Sequence, residues 1–267
     1  MLRLFTLLAA LTMVCRYTVR DVAFIDLGDE PYRLVLRVPA PDPKTLGDVA
    51  AALLDTNVSY EVEELQPFSS ESSKVTLHHP DGRSLDVDIW SDDALDPVKL
   101  NKLTDSPLRR LLLEEVFSHY AFVLFMEGEN SEKNARAHEV IGGAFKELGK
   151  IYDQMPKAVG ARPKLTTLPY ARRDEERTLL FALSADDIGT EPALAIMMGR
   201  GRRVGPVLVD EEISPAATFA ILNSIGQSCE CDLDRSWMQG PRVPLRWDAK
   251  TKARVVQDLS FDAENPF

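Results

Sequence analysis

Hydrophobic and polar residues recur along the first half of this chain in patterns that predict alternating strands and helices. The segment Tyr32–Val38 alternates imperfectly, as a half-buried strand does, and apolar residues in Lys44–Leu54 recur at helical spacing. Lys74–Ile89 has two alternating stretches around a Pro-Asp-Gly turn, which predicts a hairpin. The remaining elements predicted in this half are strands at Val19–Leu27 and Val58–Leu65 and a helix at Pro107–Tyr120.

The second half repeats this alternation more clearly. Ala121–Met126 is a continuous apolar run, as expected of a buried parallel strand, and Ser131–Met155 predicts a long helix. The later predicted elements are a strand at Lys164–Leu168, a helix at Arg173–Leu183, strands at Pro192–Met198 and Val204–Val209, and a helix at Pro215–Gln227 that Ser214 caps. The whole pattern predicts an α/β protein.

The order of elements from Ala121 onward resembles the thioredoxin fold. Residues 190–197, Thr-Glu-Pro-Ala-Leu-Ala-Ile-Met, are similar to the family segment in which a cis-proline opens an antiparallel strand, and Pro192 would be that proline. The resemblance implies a thioredoxin-like three-layer α/β domain. The first half is similar to a second, degenerate copy, so we expect a tandem arrangement.

Thioredoxins carry their redox dithiol at the start of the helix that follows the first apolar strand. A helix N-terminus at that place lowers a thiol pKa and makes the thiolate nucleophilic. Here residues 127–133 are Glu-Gly-Glu-Asn-Ser-Glu-Lys, without a cysteine. This departure from the family pattern removes dithiol exchange at its usual position.

The first fifteen residues differ from the rest of the chain. A short basic start is followed by the apolar run Leu4–Val14, which is too short to span a bilayer but fits the central region of a secretory signal. Cys15 stands where a bacterial lipoprotein signal has its lipidated cysteine, although Val14 is not the small residue expected before it. A lipid anchor, a cleaved soluble form and an uncleaved anchor all stay open. We expect export to the periplasm or cell envelope.

These features predict four parts of the chain. They are a signal peptide or lipoprotein signal at residues 1–15, an N-terminal α/β domain at 16–118, a thioredoxin-like domain at 119–231 and a C-terminal tail at 232–267. The tail carries Trp237 and Trp247 among prolines. Such a composition is typical of a peptide-binding surface or of a segment that folds back and buries its rings.

Charge narrows the classes of partner. The chain has 267 residues, of which 31 are Lys or Arg and 42 are Asp or Glu, so its net charge is −11. This excess of negative charge repels nucleic acid and anionic lipid. We therefore expect a protein partner, no nucleic acid, and membrane contact only through a retained N-terminal anchor.

Cys229 and Cys231 are a candidate site for redox chemistry or soft-metal binding. A C-x-C pair can form a small strained disulfide or hold a soft metal through two thiolates. The acidic neighbours Glu230, Asp232 and Asp234 raise thiol pKa values and oppose a reactive thiolate. Inert thiols, a redox pair and a metal site all remain open interpretations.

Arg200, Arg202 and Arg203 lie in the glycine-rich segment 199–205, Gly-Arg-Gly-Arg-Arg-Val-Gly. Guanidinium groups and exposed backbone N–H groups can bind carboxylate or phosphate, which makes these arginines candidates for an anion or partner site. The alternative is a solvated β-turn whose glycines supply positive φ angles.

Other catalytic motifs are absent from the sequence. The chain has no H-E-x-x-H, G-x-S-x-G or G-x-G-x-x-G pattern, so we predict no catalytic residue and no cofactor. Residues 17–28, 199–202 and 229–231 resemble a group of uncharacterised exported bacterial proteins, and this resemblance brings no known activity with it. The sequence thus predicts a non-catalytic thioredoxin-like protein of the bacterial cell envelope that acts in binding or assembly. The alternative is an envelope redox or metal-handling protein that uses Cys229 and Cys231, and an enzyme of another kind is the third interpretation.

Overall fold

The computed structural model describes residues 18–24, 30–66, 73–91, 94–155, 161–227 and 242–259. Its helices are α1 Val19–Val22, α2 Pro43–Leu53, α3 Pro97–Asn101, α4 Pro107–Ser118, α5 Ser131–Ile151, α6 Arg177–Ala182, α7 Pro215–Ile225 and α8 Ala249–Leu259. Its strands are β1 Tyr32–Val38, β2 Val58–Glu64, β3 Lys74–His78, β4 Ser84–Asp86, β5 Trp90–Ser91, β6 Ala94–Leu95, β7 Phe122–Met126, β8 Lys164–Leu168, β9 Ala193–Met198 and β10 Arg202–Val209. Short 3-10 helices occupy Tyr152–Gln154, Tyr170–Glu176 and Asp210–Glu212. The α/β class is confirmed.

The two four-stranded sheets have the same strand order. The first sheet is ordered β2-β1-β3-β4, with β1 parallel to β2 and antiparallel to β3. The second is ordered β8-β7-β9-β10, with β7 parallel to β8 and antiparallel to β9. In each sheet the first strand is internal, the second lies at one edge, and the last two form a hairpin at the other edge.

Strand β7 joins two layers of hydrophobic core. Val123 and Phe125 pack with apolar residues of α5 and α7 on one face of the second sheet. Phe122 and Leu124 belong to a larger cluster on the other face, which also contains Leu34 and other residues of β1. All five residues of β7 are buried, as its continuous apolar sequence predicts. The hydrophobic core therefore continues from one sheet to the other.

Residues 242–247, which we call the strap, connect the two halves. The Val243 N–H donates to the Gly201 carbonyl at 3.0 Å, and the Trp247 N–H donates to the Asp55 carbonyl at 2.6 Å. The Asn57 side chain bonds both the Val243 carbonyl and the Leu245 N–H, at 3.2 and 2.9 Å. Trp247 is only 5% exposed, which confirms that this part of the tail buries its ring. Trp237 lies outside the described residues.

The start of the described chain differs from the sequence prediction. Val19–Val22 is a helix, so the strand predicted there is wrong; residues 25–29 are not described. Thr18 and Asp21 form a capping box, which satisfies backbone N–H groups at the helix start. The buried Arg20 guanidinium donates to the carbonyls of Val116 and Phe117 at the end of α4. These local and long-range bonds outweigh the strand-like pattern.

Candidate functional site

The turn of residues 127–130, between β7 and α5, is closed by its own side chains. The Asn130 Oδ1 accepts the N–H groups of Glu132 and Lys133 at 2.9 and 3.1 Å. The Asn134 side chain bonds both the N–H and the carbonyl of Gly128, at 2.8 and 2.9 Å. Side chains therefore already hold the backbone groups that a helix start would otherwise offer to a thiolate or an anion. We call residues 127–130 the closed turn.

Residues 190–192, which precede β9, pack against the closed turn. The Glu129 N–H donates to the Thr190 carbonyl at 2.8 Å, and a Cβ on Gly128 would lie 2.6 Å from the Thr190 oxygen. Lys133 Nζ contacts the carboxylates of Glu191 and Asp210, each at 2.6 Å. Hydrogen bonds to both carboxylates raise the Lys133 pKa. The place where the resemblance implies a dithiol is thus a packed turn crossed by an ion-pair network.

Pro192 differs from the sequence prediction. It immediately precedes β9, but the peptide bond before it is trans, so the expectation of a cis-proline is corrected. A trans bond is the favoured form even before proline. The carbonyls around it are satisfied in that form, because Glu191 O accepts from the Arg173 guanidinium at 2.5 Å and Pro192 O accepts from the Asp210 N–H at 2.9 Å.

The three candidate arginines of the glycine-rich turn point to different surroundings. Arg202 is 2% exposed, and its backbone pairs with Arg242 of the strap. Arg203 is half-buried and donates to the Leu183 carbonyl, and burial lowers its pKa. Arg200 lines a surface groove. Of the three, Arg200 is the one that lines this groove.

The groove that contains Arg200 has a volume of about 460 Å³. Arg200 and Lys252 supply its cationic side chains, and Asp55 supplies a carboxylate. The other lining residues are Phe24, Thr56, Trp247 and Val255. The Arg200 guanidinium carbon lies 5.2 Å from the centre of the Trp247 ring, and Lys252 Nζ lies 3.3 Å from Asp55 Oδ1. We call this site the basic groove.

Further cations surround the basic groove. Arg254 lies over the Phe117 ring at 4.3 Å, and that ring stacks on Trp247 at 6.0 Å. Bonds from Thr251 chiefly lower the pKa of Asp248, and the charges of Lys250 and Arg246 add to this effect. The described part of this surface carries the cations Arg200, Arg246, Lys250, Lys252 and Arg254 and the carboxylates Asp55 and Asp248.

A larger groove, of about 810 Å³, opens at the carboxyl end of β1. Its lining includes Asp42, Lys44, Asp48 and Trp90. The Asp42 carboxylate caps α2 by accepting the Lys44 N–H at 2.9 Å. This groove occupies in the first sheet the topological place that the closed turn occupies in the second. Its charges have both signs, and they favour no single ligand.

A buried polar cluster lies between the halves. Arg109 is fully buried; burial lowers its pKa to about 10, although the charge of Glu176 opposes that shift. Its Nη1 donates to the Lys102 carbonyl at 2.9 Å. Burial also raises the pKa of Tyr32 and is the main reason that the pKa of His79 is lowered. None of these groups reaches a described groove, so we assign the cluster to the junction between the halves.

The remaining candidates lie outside the described residues. They are Cys15, Cys229 and Cys231, together with the predicted signal and residues 232–241 of the tail. Within the described ranges, no group of three or more His, Cys, Asp or Glu side chains could hold a metal ion.

None of the helices in the described part of the chain combines the length and apolarity needed to cross a membrane.

No family model and no curated protein matches the chain.

Sequence reasoning missed Lys252 and the part that α8 has in the basic groove. The signal was present, because Lys250, Lys252 and Arg254 form a local basic run in an acidic chain. What the sequence could not supply is the strap, which brings α8 next to Arg200 from a distant part of the chain.

Proposed function

We propose that this chain consists of two thioredoxin-like units and acts in the bacterial cell envelope as a non-catalytic binding or assembly protein. The partner is another protein. Export rests on the predicted signal in residues 1–15, and any membrane contact is through that segment. No dithiol exchange, cofactor or metal is part of this function.

The common strand order of the two sheets supports the tandem interpretation. In each sheet a parallel pair is followed by an antiparallel hairpin that begins beside the first strand. The same order is expected of a thioredoxin-like unit. A helix also follows the first strand in each unit, α2 in one and α5 in the other.

The closed turn is the observation that carries the non-catalytic part of the proposal. A thiol-exchange site needs a thiolate that a partner disulfide can reach. Here Asn134 bonds both backbone groups of Gly128, and Lys133 pairs with Glu191 and Asp210 across the turn. Because these contacts fill the position of thiol exchange, the proposed function does not include exchange at this turn.

Capture of a partner under two redox conditions tests the proposed function. The full chain is immobilised and exposed to an envelope extract, once reduced and once oxidised. We expect saturable retention of the same protein at the same level in both conditions. The double variant Cys229→Ser/Cys231→Ser is expected to retain it equally.

Two results would contradict the proposal. One is the absence of any saturable partner. The other is retention that follows the oxidation state or disappears in the cysteine variant, since this would favour the redox or metal-handling alternative.

A further inference from the structure

We propose that this chain forms a two-fold symmetric dimer in which β8 of one copy pairs antiparallel with β8 of a second copy. The inference goes beyond the proposed function, because it concerns a second copy of the same chain rather than another protein. It rests on the outer edge of the second sheet, where β8 has a strand neighbour on one side only. We call this strand, Lys164–Leu168, the β8 edge.

The backbone of the β8 edge has two residues whose polar groups point away from the sheet. The Lys164 N–H donates to the Ala121 carbonyl at 2.8 Å, and the Leu168 carbonyl accepts a backbone N–H from the residue after β7 at 3.0 Å. Because the backbone groups of successive strand residues point to opposite sides, those of Leu165 and Thr167 point outward. Within the described ranges, these outward groups have no hydrogen-bond partner.

The other sheet edges carry features that oppose the addition of a strand. β2 has three glutamates among its last four residues, and β4 is only three residues long. β10 contains Pro206, and its pairing with β9 is irregular between Val204 and Leu208. Charges, short strands, prolines and bulges are the usual protection of an edge. The β8 edge has a regular register, and its single charged residue, Lys164, is paired with Glu115 at 3.2 Å.

The β8 edge is complementary to its own copy. Pro163 and Pro169 lie three residues before and after Thr166, so they limit pairing to the strand between them. A two-fold axis at Thr166 places Leu165 opposite Thr167 of the second copy, and the same pair recurs on the other side of the axis. In each of these pairs, both residues exchange N–H···O bonds through their outward groups. The dimer therefore satisfies the outward groups of both strands.

Thr166 supplies an independent observation in favour of a second copy. Its hydroxyl oxygen is buried, yet no group in the described part of the chain bonds it. In the proposed register the two Thr166 residues face each other as a non-hydrogen-bonded pair, in which side chains lie closest. Threonine hydroxyls in facing positions hydrogen-bond each other. Dimerisation thus gives a partner to a polar atom that has none in the single chain.

The two-fold symmetry predicts a dimer and no larger assembly. Each copy uses its β8 edge once, and the two four-stranded sheets join into one continuous sheet. The pairing of one short strand from each copy buries less surface than a permanent interface does. We therefore expect a dimer that dissociates on dilution.

Sedimentation equilibrium of the full chain, under reducing conditions and over a wide concentration range, tests the pairing. We expect a reversible equilibrium between monomer and dimer. Thr167→Pro removes an outward N–H but no bond to β7, so it should raise the dissociation constant of the dimer at least about tenfold.

Val62→Pro is the matched control on the first sheet. The Leu65 N–H, directly after β2, donates to the Val38 carbonyl at 3.0 Å, so the N–H of Val62 points outward from the edge. Val62 is 37% exposed. The substitution removes an equivalent edge N–H and should leave the dissociation constant of the dimer unchanged.

Cysteine cross-linking tests the register. The three native cysteines are first replaced by serine. Thr166→Cys should then form a disulfide-linked dimer under mild oxidation, because a non-hydrogen-bonded pair places its Cα atoms about 4.5 Å apart, within the span of a disulfide. Thr167 is more exposed but faces Leu165 of the second copy, so Thr167→Cys should cross-link much more slowly. This comparison decides the question even if Thr167→Pro unfolds the chain.

Three results would overturn the inference. They are a native chain that stays monomeric at every concentration, a dimer that Thr167→Pro and Val62→Pro affect equally, and cross-linking of Thr166→Cys that is no faster than that of Thr167→Cys. Capture of the envelope partner is a separate measurement, so a monomeric chain that still captures its partner leaves the proposed function standing.

Discussion

His79 shows how a single residue ties the two halves together. It is 5% exposed and lies edge-on to Tyr32 of β1 and to Phe181 of α6, at ring distances of 5.0 and 5.8 Å. Its Nδ1 lies 3.0 Å from the Asp81 backbone nitrogen and 2.7 Å from the Asp81 carboxylate. Burial lowers its pKa; the Asp81 carboxylate opposes this shift, and the Arg83 charge adds to it. Protonation of His79 therefore disfavours the folded state.

We predict that stability falls in mild acid because of His79. Its pKa in the folded state is below the ordinary value near 6.5, so between the two pKa values the unfolded chain binds a proton that the folded chain does not. The free energy of unfolding should decrease as the pH drops below about 6.5. Urea unfolding at neutral and mildly acidic pH measures this loss.

The variant His79→Gln should show a smaller loss than the native chain over the same pH range. His78, its neighbour on β3, is only half-buried, and His78→Gln should keep the native loss. An unchanged pH dependence in His79→Gln would show that other groups cause the effect.

At the level of elements, the strap contacts both halves of the chain and holds them together. Its backbone bonds Gly201 on one side and Asp55 on the other, and Trp247 packs against Phe117 of α4. Asn57 is the side chain that holds it, because one amide bonds both Val243 and Leu245. Arg246 adds bonds to the carbonyls of Ala52 and Leu54 at the end of α2.

Asn57→Ala should therefore lower the free energy of unfolding by about 1–3 kcal/mol, since it leaves a strap N–H and a strap carbonyl without their partner. Chemical denaturation measures the change. Asn101→Ala, at the exposed end of α3, should change stability by less than about 0.5 kcal/mol. Equal effects of the two substitutions would mean that the strap is not held as the contacts indicate.

The sequence predicts elements well where one local pattern dominates. Tyr32–Val38 and Lys164–Leu168 have the predicted bounds, and Ser214 caps α7 as expected. The sequence-based prediction fails where contacts with residues far away in the chain determine the local structure. Val19–Val22 is a helix, and its Arg20 caps the end of α4. A 3-10 helix at Tyr170–Glu176 replaces the first turns of a predicted α-helix. In it, the Arg173 guanidinium donates to carbonyls around β7 and β9.

At the scale of the whole molecule, two sheets of the same order share a continuous core but differ at corresponding turns. The turn after β7 is closed, whereas the turn after β1 opens into the groove of about 810 Å³. The sequence shows that the first of these turns has no cysteine, but it does not predict that side chains close the turn. It does not predict the basic groove, because Arg200, Asp55 and Lys252 come together only through the strap. The division at residues 118 and 119 stays a prediction.

The claim that this protein binds without dithiol chemistry is tested most directly by the rate of insulin disulfide reduction in the presence of dithiothreitol. The account predicts that the native chain adds nothing to the uncatalysed rate, and that Cys229→Ser/Cys231→Ser behaves identically. A catalysed rate in the native chain that is lost in this double variant would contradict the account and assign redox chemistry to the cysteine pair.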